Sequence, residues 1–444
     1  MKKILLINPW IHDFAAYDLW MYPLGLLNIA ALCKQPQIEI NFIDFLDRFE
    51  PSCKITQRDK SPTAIFGTGH FLKQEINKPK VISTVNRKFF RYGLPENILQ
   101  KKLTLFNPDL ILVTSGMTYW YEGVKQTINF LQKYYGKCPI VLGGIYATLI
   151  PEHARTQTKA DQVFIGGNKQ EIIQLINSLL KINIPFEKNK CLFPELSLLS
   201  NKKALPVFTG FGCPYRCTYC ASKKIFPEFK QKEPKNIINQ IEFCVRNFKT
   251  KDFVFYDDAL LVNPDRVIKP LLRKIVKKKL GIRFHTPNGL HARFIDLELA
   301  ELMYASNFKT IRLSLESTAA NLQQKSDYKI TNQELKTAVK LLFKAGFRKP
   351  EVGVYTLFGF PEQTQAAIKN DIDFVYSLGA QIKLSSYALV PKTQEWDNAV
   401  KNNFIKRDTD PLLLSHTVFP LLFAGFKEQD IRTIRRYAVS LNKK

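Results

Sequence analysis

The sequence contains no apolar run of the roughly 18 residues that a membrane-spanning helix needs, so it predicts no transmembrane segment. Its start, MKKILLINPW, joins a basic tip to an apolar stretch that is too short for a signal peptide. We therefore expect a cytoplasmic protein. Low-complexity segments and internal repeats are also missing. The hydrophobic fraction of 45% and the charged fraction of 23% are typical of a folded globular protein.

Acidic residues are scarce: 39 Asp and Glu stand against 65 Lys and Arg, which gives a net charge of +26. Such an excess is compatible with a nucleic acid or an anionic membrane surface as a partner. It is also typical of lysines spread over solvated helix faces. Because the lysines are scattered and only residues 274–280 form a run, we favour solvated faces and expect no nucleic-acid partner.

The length of 444 residues predicts two or three domains, at roughly 100–200 residues per domain. In residues 1–170, apolar strand-like stretches alternate with helix-like ones, which predicts a doubly wound, Rossmann-like parallel sheet. Within this segment, residues 51–100 predict an irregular insertion. Residues 168–203 predict a helix and then a linker, and we take 171–203 as the connection between the two domains. The five expected strands are 2–8, 38–45, 109–116, 139–144 and 162–167.

A second series of strands and helices occupies residues 204–395. Six strands with helices between them are too few for a closed eight-stranded barrel, so we predict a partial (β/α)6 TIM barrel. Its reactive face is expected at the carboxyl ends of the strands. Residues 396–444 predict a helical C-terminal region. The expected strands are 205–211, 252–258, 283–289, 310–317, 351–360 and 381–389.

Three of the eight cysteines, Cys213, Cys217 and Cys220, lie close together directly after the first strand of the second series. Thiolates on a tight loop select iron–sulfur clusters, zinc or copper(I). Structural zinc usually needs four ligands, and the sequence offers neither a second cysteine pair nor a nearby histidine. Three thiolates leave one iron of a cubane cluster open for catalysis. The other cysteines are isolated and are expected to be small buried side chains: Cys33, Cys53, Cys138, Cys191 and Cys244.

The spacing Cys-x3-Cys-x2-Cys at the end of a barrel's first strand resembles the radical S-adenosylmethionine (SAM) superfamily. The resemblance implies a [4Fe–4S] cluster on Cys213, Cys217 and Cys220, whose open iron binds the amino and carboxylate groups of SAM. It also implies one-electron cleavage of SAM to a 5′-deoxyadenosyl radical, with the electron supplied by a donor such as flavodoxin or ferredoxin.

The same resemblance implies SAM contacts near the ends of the barrel strands. The usual glycine-glycine-glutamate pattern is missing at Asp257-Asp258, where a helix cap is the alternative role. His291 and Arg293 are further candidates, and for His291 a simple hydrogen-bonding role is the alternative. No catalytic acid or base is predicted. The candidate SAM-binding residues are Tyr219, Asp257, Asp258, Asn288, Ser314, Glu316 and Gly359.

The order of elements in residues 1–170 resembles the cobalamin-binding domain that precedes many radical SAM enzymes of the class B methyltransferase type. The resemblance implies that the nucleotide tail of cobalamin passes Gly143-Gly144 and that Ser115-Gly116 lies near its dimethylbenzimidazole group. The Asp-x-His-x-x-Gly loop that supplies an axial histidine is missing, and His12 lies near its place in a different pattern. Binding without a protein histidine and a domain without cofactor both stay open.

These features predict an enzyme that acts on a small molecule, with cobalamin-dependent methylation of an unactivated carbon as the leading function. A cobalamin-dependent cyclisation or rearrangement is the alternative within the same class. RNA methylthiolation would need a second cluster, for which the front segment offers only Cys33, Cys53 and Cys138. A non-enzymatic iron–sulfur or cobalamin sensor is the last alternative. The sequence does not identify the substrate, since no short motif encodes it.

Overall fold

The computed structural model describes residues 1–53, 65–187 and 193–444, so Cys191 lies outside the described residues. The chain divides into two compact units, Met1–Lys202 and Lys203–Lys444. Among the described residues, no helix has the length and apolar character needed to cross a membrane.

The first unit is built around a parallel sheet in the order β3-β1-β6-β7-β8. Ile4 and Leu6 of β1 pack in a core cluster with apolar residues of α1 and α6, and the alternate residues Leu5 and Ile7 are also buried. Both faces of the sheet are therefore covered, as in a doubly wound fold, and this prediction is confirmed. The strands are β1 (Lys2–Asn8), β2 (Ile11–Asp13), β3 (Ile38–Asp44), β4 (Lys73–Ile76), β5 (Phe89–Tyr92), β6 (Leu110–Val113), β7 (Ile140–Leu142) and β8 (Gln162–Val163). The helices are α1 (Leu24–Cys33), α2 (Glu96–Leu103), α3 (Tyr121–Tyr135), α4 (Ile145–Leu149), α5 (Pro151–Thr158) and α6 (Lys169–Leu180).

One expectation for this unit was wrong. The insertion is not irregular, because its strands β4 and β5 form an antiparallel sheet with β2, in the order β2-β5-β4. Its residues 54–64 lie outside the described residues. The helix expected within residues 168–203 is α6, which buries Ile172 and Ile176 at helical spacing in the core of the parallel sheet.

The second unit contains a six-stranded parallel sheet in the order β16-β15-β14-β13-β12-β9. Each strand pairs with its neighbour in chain order, and helices connect them, so the predicted partial barrel is confirmed. The strands are β9 (Ala204–Val207), β10 (Gly210–Phe211), β11 (Lys230–Gln231), β12 (Asp252–Phe255), β13 (Arg283–His285), β14 (Phe308–Glu316), β15 (Val352–Phe358) and β16 (Gln381–Ser386). The helices are α7 (Ser222–Ile225), α8 (Pro234–Phe248), α9 (Ile268–Lys278), α10 (Leu297–Ala305), α11 (Ala320–Lys325), α12 (Asn332–Lys344), α13 (Gln365–Ser377), α14 (Gln394–Lys401), α15 (Phe419–Leu422) and α16 (Glu428–Lys443).

Side-chain hydrogen bonds to the backbone stabilise two of these elements. Helix α12 begins at a capping box: the Thr331 side chain accepts from the backbone N–H of Glu334, and the Glu334 side chain accepts from the backbone N–H of Thr331. The last helix, α16, covers the edge strand β16: the Asn442 side chain accepts from the N–H of Ile382 at 2.8 Å and donates to its carbonyl at 2.9 Å. These two bonds use backbone groups that a further strand would otherwise pair.

Candidate active site

The cysteine loop follows β10 directly and is held in place by backbone contacts. Gly212 begins it with φ +75°, where an added Cβ would lie 2.7 Å from the carbonyl oxygen of Glu228, so only glycine fits. The backbone N–H of Thr218 donates to the carbonyl of Lys325 at 2.8 Å, and that of Arg216 to Asp327 Oδ2 at 2.7 Å. The end of α11 and the turn after it therefore position the loop.

The loop borders a cavity of about 350 Å³ at the carboxyl ends of the barrel strands. The cavity brings together all three clustered cysteines and most of the predicted SAM-binding residues, which come from several different strands. The structure adds residues that the sequence argument missed, including Lys329, Tyr355 and Ser385. The lining residues are Cys213, Cys217, Tyr219, Cys220, Ser222, Asp258, Pro287, Asn288, Gly289, His291, Ser314, Glu316, Lys329, Tyr355, Leu357 and Ser385.

The donor set fits an iron–sulfur cluster better than a single ion. Within the described ranges, no group of three His, Cys, Asp or Glu side chains is placed to hold one metal ion. A cubane cluster does not require its ligands to converge on one metal ion, because each of its thiolate ligands binds a different iron. Burial raises the pKa of the Cys213 thiol to about 11 and that of Cys217 to about 12. Binding of a cationic cluster would therefore have to displace these thiol protons.

A buried ion pair lies beside the cysteines. Lys329 Nζ donates to Glu316 Oε1 at 2.6 Å, and the ammonium lies 5.9 Å from the centroid of the Tyr219 ring. Burial favours the neutral amine, but the Glu316 carboxylate together with Cys217 and Cys220 outweighs it, so the pKa of Lys329 lies above its ordinary value. Glu316 has φ +65°, a strained conformation for a residue other than glycine, at the very end of β14.

Two of the predicted SAM-binding residues do not line the cavity. Asp257 points away from the cavity: it accepts from the backbone N–H groups of Thr209 at 2.9 Å and Gly210 at 2.7 Å, and from the Thr209 hydroxyl. It joins β12 to the turn between β9 and β10, and burial raises its pKa to about 6. It is not a helix cap either. Gly359 does not line the cavity; an added Cβ there would lie 2.7 Å from the Pro420 side chain, so packing requires this glycine.

The remaining candidates lie at the cavity. The Asp258 carboxylate accepts from the Ser222 hydroxyl at 2.6 Å. Asn288 donates its amide to the carbonyl of Tyr256 at 2.9 Å. His291 stacks on a tyrosine of the cysteine loop with 4.7 Å between ring centroids, and its buried Nδ1 has no hydrogen-bond partner in the part of the chain that the structure describes. Burial lowers the pKa of His291 to about 3, so its imidazole is neutral.

Arg293 does not line the cavity. Its guanidinium donates to the Glu334 carboxylate at 3.0 Å, beside the start of α12. This contact explains why a residue only two positions after His291 is turned toward a neighbouring helix.

In the first unit, Ser115 and Gly143 lie together after β6 and β7. The Ser115 hydroxyl donates to the carbonyl of Gly143 at 2.6 Å. Gly144 has φ +95°, and an added Cβ would lie 2.4 Å from the Ser115 carbonyl oxygen, whereas a Cβ at Gly143 would meet open space. Gly116 follows Ser115, and a Cβ there would approach the Trp120 ring at 3.0 Å.

The structure does not support His12 as a cobalamin contact. It lies within β2, buried, with Nε2 2.8 Å from Gln126 Oε1. Burial lowers the pKa of His12 to about 4. Its imidazole is therefore already engaged inside the unit, away from the strand ends where the other candidates lie.

Comparisons with known proteins agree with this arrangement. The chain is 22% identical over 353 residues to an uncharacterized methyltransferase of Pyrococcus horikoshii, covering 70% of this chain and 75% of that protein. It is 20% identical over 290 residues to the anaerobic magnesium-protoporphyrin IX monomethyl ester cyclase of Rubrivivax gelatinosus, covering 56% of this chain and 51% of that protein.

The fold is also shared with a solved structure. The radical SAM methyltransferase TsrM from Kitasatospora setae matches with a TM-score of 0.64, 15% identity and coverage of 90% of this chain and 78% of that chain. TsrM was solved with cobalamin and a [4Fe–4S] cluster bound. In addition, residues 207–375 match the model of the radical SAM superfamily, and this segment contains the cysteine loop and most of the cavity. Over residues 207–375 the chain is therefore similar to the radical SAM superfamily.

Proposed function

We propose that this chain is a cobalamin-dependent radical SAM methyltransferase that methylates an unactivated carbon of a small molecule. The observation that carries the proposal is the cavity in which three cysteines face a buried Lys329–Glu316 pair. A radical SAM site needs an open iron beside groups that hold the charged end of SAM. The cavity offers three thiols that can hold the iron, and it offers an ammonium and a carboxylate that can hold the charged end of SAM.

Cys213, Cys217 and Cys220 would hold the cluster. When bound, the cluster supplies the electron that cleaves SAM to a 5′-deoxyadenosyl radical and methionine. An external donor such as flavodoxin or ferredoxin would reduce it. The other residues bind and orient: the Lys329 ammonium suits the SAM carboxylate, and the Glu316 carboxylate suits the SAM amino group. Tyr219 and Leu357 add apolar surface to the lining of the cavity.

The proposal of cobalamin rests on the first unit. Its doubly wound sheet carries Ser115 and Gly143 after neighbouring strands, and Gly143 leaves space for a ligand to approach the backbone. Since His12 is engaged by Gln126, we propose that cobalamin binds without this histidine on cobalt. When bound, cobalamin supplies the methyl group. The likeness to TsrM in fold supports this assignment.

A radical cyclisation is the second candidate, and the similarity to the Rubrivivax cyclase favours it over the others, although the chain spans about half of that protein's length. RNA methylthiolation is disfavoured because Cys33 is packed in the apolar core beneath the sheet. Its burial raises the thiol pKa to about 12. Methyl transfer consumes a second SAM for each product, whereas cyclisation does not.

The test is anaerobic reconstitution with iron, sulfide and hydroxocobalamin, followed by desalting and quantification of metals. We expect about four iron atoms per chain together with stoichiometric cobalt. Incubation with SAM and dithionite should then release 5′-deoxyadenosine. Alanine at Cys213, Cys217 or Cys220 should abolish both cluster and cleavage, whereas Cys244→Ala, a buried cysteine of α8, should retain both.

Each failure has a separate meaning. Normal iron content in all three cysteine variants would refute the cluster assignment. Full iron without cobalt would refute the cobalamin assignment and leave the radical chemistry standing. Cluster and cobalamin without cleavage of SAM would point to a sensor.

A further inference from the structure

Two cationic side chains lie inside the barrel, one step below the cavity. Along β14–β16, residues at alternate positions face the cavity, such as Ser314, Tyr355 and Ser385. Because side chains alternate along a strand, Arg312 and Lys383, each two positions earlier on its own strand, point to the same side. The strand between them presents Gly353 at this level, paired in register with Arg312.

The two cationic side chains converge above Gly353. A Cβ added at Gly353 would lie 3.0 Å from Arg312 Nη1 and 3.0 Å from Lys383 Cγ. Only glycine therefore lets the guanidinium and the lysine stem lie this close over one strand. Tyr355, the next residue on this side of β15, donates its hydroxyl to the carbonyl of Pro287 at 2.8 Å and lies between these two side chains and the cavity.

In the part of the chain that the structure describes, neither cation has an anionic partner. The Arg312 guanidinium makes one hydrogen bond there, to the carbonyl of Ile311 at 2.9 Å, and Lys383 Nζ makes none. Two lysines with low exposure differ: Lys329 beside the cavity and Lys269 on α9 each have a carboxylate partner at 2.6 Å. Arg312 and Lys383 are half-buried, and removing a charge from water without a partner is costly, so two like charges together are an unusual feature.

The electrostatics agree with the geometry. Burial lowers the pKa of Arg312, and burial together with the charge of Arg312 lowers the pKa of Lys383 to about 8. An anion placed between the two side chains would offset both penalties. A guanidinium beside an ammonium is well suited to a carboxylate or a phosphate, since the guanidinium binds two oxygens at once.

We infer that Arg312 and Lys383 bind an oxyanion, a carboxylate or a phosphate, carried by the substrate. The inference rests on the proposed function, because it places the substrate in the barrel below SAM. The SAM carboxylate is the competing occupant. It is disfavoured because the Lys329–Glu316 pair already provides complementary charges beside the cysteines, on the level of the open iron.

The experiment uses cluster-loaded protein with SAM bound and measures binding of inorganic phosphate and of acetate by calorimetry at constant ionic strength. Wild type should bind at least one of them saturably. The double variant Arg312→Gln/Lys383→Met should lose affinity by roughly ten- to a hundredfold, with the affinity for SAM unchanged. A matched control is Arg246→Gln/Lys274→Met, which removes the same charge from exposed helix positions and should bind like wild type.

The single variant Lys383→Met tests the inference even if the double variant fails to fold. Because the ammonium has no partner, its loss should leave the fold intact and weaken anion binding by itself. Preference for phosphate would assign a phosphorylated substrate, and preference for acetate a carboxylic acid. Absence of saturable binding in wild type, or equal binding in wild type and double variant, would overturn the inference. Joint loss of anion and SAM binding would also overturn it, by assigning the pair to SAM.

Iron content and SAM cleavage are measured on the same preparations without added anion. Failure of either would count against the proposed function. The anion titration would still report on Arg312 and Lys383, so the two failures are distinguishable.

Discussion

The Lys329–Glu316 pair gives the sharpest prediction about the second unit. Both side chains are about one-tenth exposed, and the pair is joined by a single 2.6 Å contact. Lys329→Met removes the ammonium but leaves a carboxylate buried beside Tyr219. Removing one partner of a buried ion pair costs about 3–5 kcal/mol. For a unit of this size that corresponds to a fall in melting temperature of roughly 6–20 °C.

The double variant Lys329→Met/Glu316→Gln separates stability from binding. It leaves no buried charge, so we expect it to recover most of the lost melting temperature. It also removes both groups proposed for the charged end of SAM, so SAM affinity should stay low in both variants. The assay is anaerobic thermal unfolding, combined with equilibrium binding of SAM to cluster-loaded protein.

Three outcomes would contradict this prediction. A single variant that costs less than about 1 kcal/mol would show that the pair is solvated and not buried in the sense argued here. A double variant that recovers both stability and SAM affinity would remove Lys329 and Glu316 from the SAM site. Loss of stability in both variants to the same degree would mean that packing, rather than charge, governs this position.

Two further predictions concern residues with structural roles. Folding raises the pKa of Asp257 to about 6, so its contribution to stability is present at acid pH and is lost as the pH rises toward 6. This loss is on the order of 3 kcal/mol, and Asp257→Asn should flatten that part of the stability–pH curve; an unchanged curve would contradict the assignment. In the first unit, Gly144→Ala should cost about 1–3 kcal/mol through backbone strain, measured by urea unfolding. Gly143→Ala, which meets open space, should fold like wild type and reduce cobalamin retention; equal stability of the two variants would refute the packing argument.

How far the sequence predicted the site depends on how local each signal is. The cysteine loop was identified because all three thiols lie on one tight turn after a strand. Lys329 was missed because its partner Glu316 is on a different element, and nothing in the residues around it marks a buried cation. Asp257 was expected at the cavity, but its carboxylate accepts from the backbone N–H groups of Thr209 and Gly210, which belong to a distant element that the residues around Asp257 do not identify.

The fold was also predicted where its signals are local. The parallel strands are apolar runs that can be identified without tertiary information, so the parallel sheets of both units were predicted. The insertion was misread because β4, with the sequence KQEI, is largely exposed and carries no apolar pattern. Its pairing with β5 defines it as a strand, and the sequence of neither strand alone predicts pairing between residues that are distant in the chain. Glycine roles were equally ambiguous, since Gly359 serves packing against Pro420 rather than a ligand.

The charges inside the barrel are arranged in two levels, and this arrangement links the two proposals. At the level of the cysteines, Lys329 and Glu316 neutralise each other and suit a ligand that carries both charges, as the methionine part of SAM does. One level below, Arg312 and Lys383 leave positive charge unbalanced around Gly353 and suit a ligand with net negative charge. If substrate binding neutralises the lower level, it also lowers the local positive potential beneath the SAM site. An anionic substrate should therefore stabilise the loaded unit against unfolding, and this stabilisation should vanish in Arg312→Gln/Lys383→Met while that given by SAM persists.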